Sequence, residues 1–77
     1  MNSSNDIQVF NSLFNEYYRS FVCFALGYLK EKQSAEDIVS EAFTLYWEKK
    51  ATLNIDTNPP AYILTIIKNR CLNHLKH

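Results

Sequence analysis

The run SAEDIVSEAFTLYWEKK, residues 34–50, decides the fold of this chain. Its apolar residues Ile38, Val39, Ala42, Phe43, Leu45 and Tyr46 recur at the spacing of one face of an α-helix. Ser34 followed three residues on by Asp37 has the form of a capping box at the start. Lys49 and Lys50 complement the negative end of the helix dipole. The spacing therefore predicts a helix over 34–50. Its polar residues Asp37, Ser40, Glu41, Thr44 and Glu48 fall on a single stripe opposite the apolar face.

Downstream, ATLNIDT (51–57) shows no period and reads as a loop. Asn58-Pro59-Pro60 then gives a cap followed by prolines, whose missing N–H is harmless in a first helical turn. A second helix is expected over about 59–76, with Leu64, Ile67, Cys71 and Leu75 as its core stripe and Ile63 on the flank. Upstream, Phe10, Leu13, Phe14, Tyr17, Phe21, Phe24, Ala25, Tyr28 and Leu29 trace a wide apolar face, predicting a helix over about 7–30. Asn5 or Asp6 is its expected cap. Gly27 interrupts it at a cost of about 1 kcal/mol relative to Ala, and is the expected place for another helix to approach closely.

Three helices in 77 residues make an all-α fold, a small three-helix bundle forming a single domain over 1–77. One Gly and two Pro are too few for the turns of an all-β fold. The longest apolar stretch, FVCFALGYL at 21–29, falls well short of the roughly 18 residues a membrane span needs. The opening MNSSNDIQ lacks the positive and apolar regions of a secretory signal, so the expected setting is soluble and cytoplasmic. Cys23 and Cys71 both fall on apolar stripes and are expected as reduced, buried thiols. Trp47 and the ten Tyr and Phe residues are likewise expected in the core.

The formal charge is zero, yet the charges are segregated. Five acids (Glu31, Glu36, Asp37, Glu41, Glu48) stand against Lys32 alone between Glu31 and Glu48. Lys68, Arg70 and Lys76 stand with no acid between Thr57 and His77. The acidic stripe is either a solvated face or a docking ridge for a basic helix. The face of the last helix read as opposite its core carries Tyr62, Ile66, Asn69, Arg70, Asn73 and Lys76. Amides suit base edges, cations suit phosphates and an aromatic suits stacking, so this face fits single-stranded nucleic acid; it also fits an ordinary mixed surface. His74 and His77 are three apart with no third ligand, so no metal site is expected. No nucleophile–base set, phosphate loop or buried carboxylate pair is present in the sequence. No enzyme activity, cofactor or small-molecule substrate is expected.

The strings AEDIVSEAFTLYWEKK (35–50) and PAYILTIIKNRCLNHLK (60–76), with FNSLFNEYYRSFVCFALGYL (10–29) ahead of them, resemble region 2 of the extracytoplasmic-function sigma factors of bacterial RNA polymerase. The resemblance implies a transcription initiation domain that docks on the beta-prime clamp helices of RNA polymerase and binds and melts the minus-ten promoter element. By motif position it implies polymerase contacts at Asp37, Ser40 and Glu41, which the stripe extends to Thr44 and Glu48. Ser40 departs from the Gln usual in the family. The non-template single strand is implied at Asn69 and Arg70, to which Tyr62, Asn73 and Lys76 are added because they share the face. In that family the preceding loop captures a flipped base, and an anti-sigma factor is a candidate further partner. A complete sigma factor of this kind continues into a helix-turn-helix domain, so an isolated region 2 domain, truncated at His77, is expected. The alternative is a helical adaptor that binds another basic helix and has no nucleic-acid role.

Overall fold

The computed structural model describes residues 3–50 and 58–76, which form three α-helices, α1 (Ser3–Leu29), α2 (Lys32–Lys49) and α3 (Pro59–Lys76). The all-α bundle read from the sequence is the observed fold, and each helix packs against the other two. The expected loop at 51–57 and His77 lie outside the described residues.

The helix ends depart from the sequence reading in two places. Helix α1 begins at Ser3 rather than near residue 7, so positions 5 and 6, the expected caps, stand inside it. Helix α2 begins at Lys32, with Glu31 as its extended N-cap residue at φ −128°, ψ 123°. Ser34 is therefore inside the first turn, and its hydroxyl donates to the Glu31 carboxylate at 2.6 Å. Asp37 accepts from Gln33 at 3.0 Å and closes no capping box. The reason is the tightness of the connection. Lys30 takes the left-handed conformation, φ 66°, and donates its N–H to the Leu26 carbonyl, so the chain turns within two residues. At α3 the sequence reading holds: the Asn58 side chain accepts the Ala61 N–H at 3.1 Å, a cap worth about 1 kcal/mol.

Phe43, 1% exposed, is the centre of the core. Its ring meets Phe14 at 4.9 Å, Phe21 at 5.9 Å and Phe10 at 6.1 Å, which joins α1 to α2 through a chain of aromatic contacts. Ala25, Ala35, Val39 and Ala42 are fully buried around it and let the helix backbones come close. Ala35 and Val22 are core residues that the apolar stripes did not include.

Several expected core positions lie elsewhere. On α3 the contact ridge is Ile63, Ile67 and Cys71, all fully buried. Leu64 is half-buried and Leu75 is 54% exposed. Each four-residue step advances about 40° beyond a full turn, so Leu75 has rotated off the face that Ile63 begins. Leu45 is half-buried, and Trp47 is exposed at the edge of α2, its ring 5.0 Å from Phe10 and beneath the Lys50 ammonium. Among the described residues nothing lies within 4 Å of where a Cβ on Gly27 would stand, so the expected close approach of another helix is not found there, and the glycine weakens α1.

The two thiols separate as well. Cys71 is buried, but Cys23 is exposed because it stands two residues, about 200° of helical turn, from the buried Ala25. Burial pushes the Cys71 thiol above its ordinary 9.0. A thiol reagent at neutral pH is therefore expected to titrate Cys23 rapidly and Cys71 only after denaturant is added. Unfolding frees Cys71 to ionise at its ordinary value. Its contribution to stability is thus full below pH 9.0 and lost as pH rises through the higher folded value. Two fast thiols in the native chain would contradict this packing.

Candidate functional site

Asp37, Ser40, Glu41, Thr44 and Glu48 are all exposed on one side of α2, because the opposite side is taken by Ala35, Val39, Ala42, Phe43 and Tyr46. The Thr44 hydroxyl donates back to the Ser40 carbonyl at 3.0 Å, which leaves carboxylates as the outward-reaching groups of this stripe. Trp47 joins the stripe at its edge, 38% exposed. The sequence reading assigned Trp47 to the core, although its position seven residues after Ser40 and three after Thr44 was a signal that it shares their side.

The residues expected on the nucleic-acid face do not form one flat surface. Asn69, Asn73 and Lys76 are exposed, and Arg70 is half-buried. Tyr62 and Ile66, read as facing away from the core, pack against it; the Tyr62 ring lies 6.4 Å from Tyr46. The cause is that α2 runs alongside α3, so residues on this flank of α3 meet a neighbour rather than solvent.

The two helices are antiparallel: Tyr46 meets Tyr62, Glu41 meets Arg70, and Ile38 shares a groove with Asn73 and His74. That groove holds about 510 Å³, with Ile38, Leu45 and Ile66 as its apolar floor. Glu41, Arg70, Asn69, Asn73 and His74 form its rim. His74, one turn after Arg70, is a rim residue that the sequence reading did not place at a site. Lys76 sits apart, with Leu72 and Leu75 beside the far sides of Asn69 and Asn73.

One contact links the two sets of expected site residues. The Arg70 guanidinium donates to the Glu41 carboxylate at 3.0 Å, with side chains 40% and 54% exposed. An ion pair this exposed contributes at most about 1 kcal/mol. It fixes where the guanidinium rests, and a competing phosphate or carboxylate replaces it at little cost. Among the described residues no group of three His, Cys, Asp or Glu side chains is arranged to hold a metal ion. No helix among them is long and apolar enough to cross a membrane.

This geometry provides an acidic helix face, an amide- and cation-bearing helix face, and a half-apolar groove between them. Surfaces of these kinds suit binding to charged partners. A family profile described as Sigma-70 region 2 matches residues 13–77. Comparison with curated proteins and with solved structures returns no match. The matched span takes in all of α2 and α3 and most of α1, and its all-helical fold is the one observed. The chain thus belongs to the Sigma-70 region 2 family, the non-enzymatic transcription initiation domain that binds RNA polymerase and recognises the minus-ten promoter element.

Proposed function

We propose that this domain is of the extracytoplasmic-function type, acts in the bacterial cytoplasm, and divides its two tasks between α2 and α3. The stripe Asp37, Ser40, Glu41, Thr44 and Glu48 docks on the basic beta-prime clamp helices of RNA polymerase, with Trp47 as an apolar anchor at its edge. The α3 residues Asn69, Arg70, Asn73 and Lys76, with the half-buried Tyr62 ring at their edge, bind the non-template strand of the minus-ten element once it is unpaired. The observation that carries this reading is the exposed carboxylate stripe on α2 beside exposed amides on the adjacent α3. Exposed carboxylates suit a basic partner helix, and amides suit the edges of unstacked bases.

Within that face the roles differ. Asn69 and Asn73 supply donors and acceptors for base edges, while Arg70 and Lys76 neutralise phosphates. Capture of a base offsets the few kcal/mol of unstacking and so biases the duplex toward the melted state. The loop 51–57, the family's place for a flipped base, lies outside the described residues. Ser40 reaches less far than the family's Gln, so the neighbouring carboxylates and Trp47 hold the larger share of docking here. An anti-sigma factor covering either face blocks that face's task. No catalytic step is part of this reading.

Oligonucleotide titration tests the α3 assignment. Wild type is expected to bind a minus-ten single strand more tightly than a scrambled one, with affinity falling as salt rises. Asn69→Ala is expected to erase most of that preference, a loss of roughly 1–3 kcal/mol of discrimination. Lys76→Ala is expected to weaken both strands equally and to reduce the salt slope by about 0.7. No binding at low salt would remove the nucleic-acid role and favour a helical adaptor.

A further inference from the structure

We propose that the groove face of α2 and α3 is self-complementary and forms a weak, reversible two-fold homodimer, an association separate from polymerase and promoter binding. Three observations support it. The face is half-apolar, with Ile38, Leu45 and Ile66 along its floor. Its two sides carry opposite charge, Glu41 on α2 against Arg70 on α3, with His74 one turn beyond Arg70. The chain as a whole has no net charge to hold two copies apart.

The antiparallel register decides which two-fold is allowed. An axis across the groove lays α2 on α2 and sets carboxylates against carboxylates. An axis along the groove lays α2 of one copy over α3 of the other and keeps each residue at its own level. Because Glu41 and Arg70 are level within one chain, Glu41 then faces Arg70 of the second copy. Asp37, one turn back, stands level with His74 of the second copy. The exposed Glu41–Arg70 pair within each chain exchanges for two such pairs between chains, as an isologous interface requires. Leu45 and Ile66 of both copies close over the axis and supply the apolar burial.

The size of the face sets the strength. Two helices of 18 residues are each about 27 Å long. Side by side they span roughly 20 Å. About 500 Å² per copy lies at the low end for a specific interface, so dissociation is expected in the micromolar range. The dimer covers Glu41, Asn69 and Arg70 of both copies and so holds the docking and strand-binding faces out of use.

Sedimentation equilibrium on the full chain, from micromolar to submillimolar concentration and at low and high salt, tests this. A monomer–dimer equilibrium is expected at low salt, weakened about tenfold or more at high salt. Glu41→Lys sets Lys against Arg70 of the second copy, and Arg70→Glu sets Glu against Glu41, so each variant alone is expected to be monomeric. Mixed in equal amounts, the two variants are expected to form a heterodimer, because both cross-chain pairs are then of opposite sign. Circular dichroism confirms that each variant is folded, and the mixture separates interface charge from any effect inside one chain. A wild type that stays monomeric at low salt overturns the proposal and leaves the groove to a strand or a partner helix. So does a dimer that survives in both single variants, or a mixture that yields no heterodimer.

Discussion

Phe43→Ala is expected to cost about 3–5 kcal/mol and to leave the domain largely unfolded at physiological temperature. Phe43 is 1% exposed and lies against Phe10, Phe14 and Phe21 of α1, so its removal opens the seam between the two helices that carry most of the core. The surrounding rings are too large to collapse into the gap, which leaves the cavity cost in place. A domain of this size rarely has more than about 3–5 kcal/mol of stability from its core. The loss corresponds to a fall in melting temperature of roughly 12–40 °C, read by circular dichroism. Phe24→Ala is the control: Phe24 is half-buried at the edge of α1, so its truncation is expected to cost about 1 kcal/mol. Equal effects for the two residues would mean that the aromatic cluster is not the seam described.

Asp37→Lys/Glu41→Lys is expected to lower affinity for the isolated beta-prime clamp helices by a factor of about 100 or more while helicity is kept. Both side chains are exposed and support no core contact, so the fold has little stake in their sign. At an interface each reversal replaces an attraction with a like-charge contact that costs several kcal/mol once desolvated. Titration calorimetry at chain concentrations where the domain is monomeric reads docking alone. Asp37→Lys by itself isolates the intermolecular effect, since Glu41 also holds Arg70 within the chain at 3.0 Å. Trp47→Ala is expected to weaken docking about tenfold without any change of charge. Unchanged binding by the double variant would move docking off α2 and return the stripe to the role of a solvated face.

The helices themselves were legible because apolar residues at three- and four-residue steps encode them locally. Ile38, Val39, Ala42 and Phe43 are buried on α2 as that period requires, and Asn58 caps α3 through a side chain three residues from its partner. The errors arose where a face had to be given a width. Cys23 and Trp47 are apolar and close to a stripe in sequence, yet each lies beyond the arc that a neighbouring helix covers. Tyr62 and Ile66 erred the other way: they look outward on an isolated helix and are covered by α2. The start of α2 was misplaced because the left-handed Lys30, which no local preference of Lys favours, brings the turn forward by two residues.

Sequence alone determined that this chain is three amphipathic helices, where its acids and cations are segregated, and which strings tie it to a sigma-factor domain. All of these are properties of order along the chain, set by spacing and side-chain chemistry. Tertiary structure alone decided that Glu41 reaches Arg70, that Trp47 sits at the surface, and that Ile38, Leu45 and Ile66 line a groove between two unlike faces. The physical reason is that these facts depend on how far one helix is rotated and shifted against another. That is fixed by the packing of Phe43, Ile63, Ile67 and the small residues between them, and no single helix carries it.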